Sequence, residues 1–110
     1  MKNVVITGST RGIGFAMARE FLLAGCNVTL SGRGEALADS ANIALAPYEE
    51  KYIYVPCNVQ EKSSLQNLWD TSLAQWGAVD IWINNAGQNT QHMFLWETGE
   101  TYIENTIRTN

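Results

Sequence analysis

Glycine recurs at positions 8, 12 and 14 in the stretch Gly8-Ser9-Thr10-Arg11-Gly12-Ile13-Gly14, between the apolar run Asn3-Val4-Val5-Ile6-Thr7 and a segment with helical spacing of apolar residues. A strand that turns through glycines into a helix presents the unpaired N–H groups and positive dipole end of that helix to whatever lies beyond the turn. Phosphate suits such a place. One glycine permits the tight turn, one lets a diphosphate approach the backbone, and one lets helix and strand pack closely. Other chemistries are poorly supplied. Cys26 and Cys57 are the two cysteines, with no Cys-x-x-Cys spacing, and His92 is the single histidine, which argues against a disulfide framework or a zinc site.

The elements that must position this turn follow from the patterning. The continuous apolar run at 3–7 suits a strand covered on both faces. Ile13, Ala16, Met17, Phe21 and Ala24 recur at helical spacing, and Gly25 closes that helix. Asn27-Val28-Thr29-Leu30-Ser31 is a second strand. A second helix is expected from Glu35 to Leu45, with Leu37, Ala41, Ala44 and Leu45 on one stripe, Glu35 at its N-terminal end and Pro47 past its end. Tyr52-Ile53-Tyr54-Val55-Pro56 is a third strand. Asn58 with Glu61 opens a third helix whose stripe is Leu65, Leu68, Trp69, Leu73 and Trp76 and which Gly77 stops. Val79-Asp80-Ile81-Trp82-Ile83-Asn84 is a fourth strand. After a polar loop containing His92, Tyr102, Ile103 and Ile107 place a last helix from about Thr101 onward.

Strands alternating with helices at crossover length imply an α/β fold: a Rossmann-type, doubly wound parallel sheet with helices on both faces. With 110 residues the chain is one domain, 1–110, or part of one. Seven basic against eleven acidic residues argue against a nucleic-acid partner held by bulk electrostatics. No apolar run is long enough to span a membrane, and Met1-Lys2-Asn3 passes directly into a strand, so a cytoplasmic location is expected.

Two motifs together resemble the short-chain dehydrogenase/reductase family: Thr7-Gly8-Ser9-Thr10-Arg11-Gly12-Ile13-Gly14 matches its T-G-x-x-x-G-x-G turn, and Asn84-Asn85-Ala86-Gly87 matches its N-N-A-G. The resemblance covers the whole chain and implies strand order 3-2-1-4. It also implies a nicotinamide dinucleotide across the carboxyl ends of the strands, with Asn85, Ala86 and Gly87 beside the adenine-side ribose. Where NAD-using relatives carry an aspartate this chain has Gly32, followed by Arg33, so NADP is expected over NAD, with Arg33 or Arg11 on the 2′-phosphate. Asn58-Val59 falls where the family has Asp-Val at the adenine, and Asn110 resembles its catalytic-helix asparagine. A more distant likeness, in Asp80 to Gly87 and Asn89, points to the chlorophyll b reductase branch.

Family catalysis also needs a serine and a Tyr-x-x-x-Lys pair. Neither is found in a matching position, and Tyr48-Glu49-Glu50-Lys51 has the wrong spacing. The chain therefore resembles the N-terminal, cofactor-binding part of an enzyme moving hydride between NADP(H) and a carbonyl or alcohol, incomplete at its C-terminus and inactive alone. A non-catalytic dinucleotide sensor or partner subunit is the alternative. The apolar cluster from Met93 to Trp96 suits either a bulky hydrophobic substrate or packing against further chain. The fourth strand is expected to leave an open apolar edge, which favours a homo-oligomer.

Overall fold

The computed structural model describes residues 2–85, 90–96 and 102–108. Ala86, Gly87 and Asn110, three of the expected site residues, lie outside them. Four strands and three helices alternate along the chain: β1 (Asn3–Ile6), α1 (Gly12–Leu23), β2 (Asn27–Gly32), α2 (Asp39–Leu45), β3 (Tyr52–Pro56), α3 (Lys62–Trp76) and β4 (Ile81–Asn84). A short 3-10 turn, Ala46–Tyr48, extends α2. Two further strands follow, β5 (Thr90–Trp96) and β6 (Tyr102–Arg108). The sheet order is β3-β2-β1-β4-β5-β6, parallel through its first four members. The expected 3-2-1-4 arrangement is thus present, with a hairpin added.

That hairpin corrects two expectations. Residues 102–108 are a strand rather than a helix, and His92 lies within β5 rather than in a loop. The edge of β4 is not open, because β5 pairs with it antiparallel, Ile81 opposite Leu95 and Asn84 opposite His92. The reason is the one that made the edge a hazard: a row of unpaired N–H and C=O groups recruits any strand-forming segment within reach. Tyr102, Ile103, Thr106 and Ile107 are β-branched or aromatic, types that favour a pleated surface over a helix once a template exists.

Strand alternation divides the core into two. On one face Val4, Ile6, Val28, Leu30 and Ile83 meet Ala18 and Leu22 of α1 and Ala41 and Leu45 of α2. On the other, Val5, Val55, Cys57 and Trp82 meet Leu68 of α3, and Trp82 stacks obliquely on Trp69 with ring centroids 5.9 Å apart. The buried stripe of α1 is Gly14, Ala18 and Leu22, shifted from the expected one: Ile13 is 55% exposed. In α2 Ala44 is exposed. In α3 the buried neighbour of Leu68 is Ser72, whereas Leu73 is exposed. Ser72 is buried because it has partners. Its Oγ donates to the Leu68 carbonyl (2.8 Å) and lies 3.0 Å from Thr29 Oγ1, which also accepts from Trp76 Nε1 (3.0 Å).

The second helix begins later than expected, at Asp39 with Ala38 as its cap, and Glu35 sits in the preceding loop. In that loop the Gly34 carbonyl accepts from the Tyr54 hydroxyl at 2.6 Å. Helices α1 and α3 end as read: Gly25 (φ 90°) follows the first, and Gly77 (φ 85°) caps the second by donating to the Leu73 carbonyl at 2.8 Å.

The Thr29 node fastens α3 to β2. Replacing Thr29 with Val keeps the shape but removes the acceptor for Trp76 and the partner of a fully buried Ser72, which should cost about 1–3 kcal/mol in urea unfolding. An unchanged midpoint would show that the node contributes nothing.

Candidate functional site

The carboxyl ends of the parallel strands surround a cleft of about 790 Å³ at the point where strand order reverses between β1 and β4. Open α/β sheets leave such a crevice there because the chain exits to opposite faces on either side of the reversal. Four turns form its walls. Gly8, Thr10, Arg11 and Gly12 come from the turn after β1; Gly32, Arg33 and Gly34 from the end of β2. Cys57, Val59 and Gln60 follow β3, and Asn85 follows β4. Among the described residues the lining holds two arginines and no carboxylate, in a chain of net charge −4.

The first turn is built around glycines in the left-handed region, Gly8 at φ 62° and Gly12 at φ 63°, where a side chain would be strained. Ser9 pins the turn: its Oγ donates to the Ile6 carbonyl (2.8 Å) and accepts from the Ser31 amide (2.8 Å), and its own amide donates to the Ser31 carbonyl (2.9 Å). The start of α1 has no side-chain cap and no acidic residue in its first turn. Its N–H groups and dipole are therefore left for an external anion, the condition a diphosphate requires.

The two sequence motifs, far apart in the chain, meet in space. Asn85 N–H donates to Thr7 Oγ1 and Asn85 Nδ2 to the Gly8 carbonyl, both at 3.0 Å. Gly14 makes this possible. A Cβ on Gly14 would overlap the Gly8 carbonyl and come within 2.5 Å of Asn85 Nδ2. The structure thus gives the close-packing role to the third glycine of the turn, and the atoms it makes room for are the Gly8 carbonyl and the Asn85 amide.

Asn58 is half-buried and committed locally: its Oδ1 accepts from the Gln60 amide (3.0 Å) and its Nδ2 donates to Glu61 Oε1 (2.9 Å), while Glu61 is the cap of α3. Its neighbour Val59 lines the cleft. The sequence reading had no signal for Gly34, Gln60 or Tyr54. Gly34 and Gln60 enter the lining through loop geometry, and Tyr54 reaches the loop after β2 from the neighbouring strand.

At Gly32, the position of the missing acid, a Cβ would meet Thr10 Cγ2 at 2.6 Å and the Tyr54 hydroxyl at 3.3 Å. Thr10 and Tyr54 thus occupy the space through which a side chain at 32 would emerge. Burial raises the Tyr54 phenol above its ordinary value, with the nearby Cys57 adding to the shift; burial raises Tyr52 likewise, with Glu49 adding. Tyr52 donates to Asn42 Oδ1 at 3.0 Å.

A family model described as short chain dehydrogenase matches residues 2–110. The chain belongs to the short-chain dehydrogenase family. It is 40% identical over 111 residues to the chloroplastic chlorophyll(ide) b reductase NOL of Oryza sativa subsp. japonica, a match spanning 98% of this chain and 32% of that protein. Among solved structures it resembles the C-domain of a bacterial malonyl-CoA reductase with NADP, at 32% identity and a TM-score of 0.69 over 80% of this chain and 15% of that one. It also resembles a 3-ketoacyl-(acyl-carrier-protein) reductase from Brucella melitensis complexed with NADH, at 25% identity and a TM-score of 0.65 over 74% of this chain and 32% of that one. The chain spans about a third of the length of the curated relatives it matches. The family is one of oxidoreductases that use NAD or NADP. Among the described residues no helix is long and apolar enough to cross a membrane, and no three His, Cys, Asp or Glu side chains gather as a metal site.

Gly14→Ala should lower stability by about 1–3 kcal/mol through overpacking and loosen Asn85 from Gly8, seen as faster hydrogen exchange at Asn85. Retention of both would remove Gly14 from this role. The raised phenols make a second, signed prediction. Their neutral forms are favoured in the folded state, so their contribution is complete below the free-phenol pKa of about 10 and is lost as pH rises through the higher folded values. Tyrosinate absorbance should show two phenols ionising later in the folded chain than in urea.

Proposed function

We propose that this chain is the NADP(H)-binding part of an oxidoreductase whose complete form moves hydride between the nicotinamide and a carbonyl or alcohol of a small-molecule substrate. The observation that carries the coenzyme choice is the β2 exit: Gly32 has no side chain to contact a 2′-hydroxyl, a Cβ there would press on the Thr10 methyl, and Arg33 and Arg11 stand on the cleft wall with no carboxylate among the described lining residues. A 2′-phosphate brings two charges that guanidinium groups bind by charge-assisted hydrogen bonds, whereas a 2′-hydroxyl gains little from them.

In this reading Gly8, Ser9, Thr10, Gly12, Ile13 and Gly14 shape the turn for the diphosphate, with the free N–H groups of α1 as donors. Asn58 and Val59 flank the adenine, and Asn85, Ala86 and Gly87 the adjoining ribose, with Asn110 the residue carried toward catalysis. When bound, the dinucleotide supplies the hydride. The chain's own residues hold its phosphates and orient it along the strand ends. The malonyl-CoA reductase domain with NADP and the ketoacyl reductase with NADH indicate that this frame accommodates either coenzyme, so the arginines are what favours NADP here.

Two free thiols suit a reducing compartment and support cytoplasmic residence as part of the same reading. Homo-oligomerisation also belongs to it, through a surface other than the β4 edge, which β5 covers.

The test is titration of NADPH by its fluorescence, with NADH as control. Wild-type protein should bind NADPH more tightly, and Arg33→Asp should weaken NADPH by at least about tenfold while affecting NADH much less. Equal losses would remove Arg33 from the 2′-phosphate, and no binding of either dinucleotide would overturn the proposal.

A further inference from the structure

The residue that faces the proposed 2′-phosphate site, Arg33, is held from below by two bonds from the neighbouring strand. The Gly32 carbonyl accepts from the Cys57 amide at 2.8 Å, continuing the β2–β3 ladder past its last register pair, Gly32 opposite Pro56. The Gly34 carbonyl accepts from the Tyr54 hydroxyl at 2.6 Å. Arg33 thus lies between two peptide groups that are both fastened to β3. The first fastening is backbone and available to any sequence. The second depends on a phenol at position 54.

The placement of Tyr54 is specific. It lies opposite Leu30 in register, its ring packs against the core cluster of Leu30 and Leu37, and its hydroxyl emerges beside Gly32, 3.3 Å from where a Cβ there would stand. Glycines at 32 and 34 flank the arginine and would otherwise leave its backbone the most permissive part of the cleft wall. A loop that is ordered before the ligand arrives does not spend binding free energy on ordering itself.

We infer that Tyr54 is a positioning residue for coenzyme choice: its hydrogen bond to the Gly34 carbonyl fixes the Arg33 loop in the geometry that receives the 2′-phosphate. This rests on the reading of the cleft as an NADP(H) site. Tyr54 touches no reacting atom and acts through Arg33 alone. A phenol is protonated throughout the neutral range, and burial raises this one further, so the hydroxyl is a donor there.

Tyr54→Phe removes the oxygen and keeps the ring, so the core contact is retained. On the whole chain, NADPH and 2′,5′-ADP are titrated beside NADH and 5′-ADP, with the thermal midpoint as a check on folding. The substitution should weaken the two 2′-phosphorylated ligands by roughly three- to tenfold and leave the other two within about twofold. The same change is then made on an Arg33→Ala background, where it should have no further effect on NADPH, since two residues acting as one unit are not additive. A role confined to stability would weaken all four ligands alike and persist without Arg33, and either result overturns the inference, as does an unchanged NADPH affinity. Failure of the wild type to bind any dinucleotide overturns the cleft assignment and this inference with it, whereas NADPH binding that ignores Tyr54 sinks only the latter.

Discussion

The geometry at the carboxyl ends of the strands depends on one contact, the Asn85 amide reaching the Gly8 carbonyl beneath the first turn of α1. Three things must hold for it to form. Gly8 must turn its carbonyl toward β4, which its positive φ allows. Gly14 must lack a Cβ, because the atom would stand where Asn85 Nδ2 stands. The exit of β4 must also be in register with β1, which the pairing of Ile6 with Ile83 and the bond from the Thr7 amide to the Ile83 carbonyl (3.0 Å) ensure. The cleft wall on the β4 side and the helix start on the β1 side are thereby parts of one hydrogen-bonded piece, and a change to either moves the other.

This explains which parts of the molecule could be read from the chain alone. The glycine turn was legible because positive φ and close approach leave a residue-type signature. The stops at Gly25 and Gly77 left the same kind. The order 3-2-1-4 came from the resemblance of the two motifs to the family, and the parallel α/β alternation from crossover length. The start of α2 was not legible, since the apolar stripe runs back through Leu37 and the loop before Asp39 is tied to another strand by the Tyr54 bond to the Gly34 carbonyl. Nor was the burial of Ser72 in place of Leu73, because the hydroxyl is accepted inside only by virtue of Thr29 and the Leu68 carbonyl.

The C-terminal hairpin shows a different limit. Tyr102, Ile103 and Ile107 satisfy a helical stripe as well as a strand composition, and local pattern does not choose between them. As a strand the segment pairs with the outer edge of β5, itself laid on β4, and gains a ladder of bonds that no helix could give it. The edge of β4 was read from the sequence as a hazard, and the chain covers it with its own residues.

Electrostatics complete the connection from fold to ligand. A chain of net charge −4 is a poor attractor of anions from a distance, yet at an ionic strength near 0.15 M charges farther apart than about 8 Å are largely screened. What a bound phosphate would experience is therefore the cleft itself, and there the balance is reversed: Arg11, Arg33 and the uncapped end of α1 border the space, with no acid among the described lining residues. Glycine at 32 matters beside arginine at 33, because a carboxylate there would oppose the guanidinium's attraction for a phosphate, and a side chain there would have to displace the Thr10 methyl. In the proposed NADP(H) reading, selectivity for the extra phosphate would rest on the absence of an acid at the β2 exit as well as on the arginines beside it.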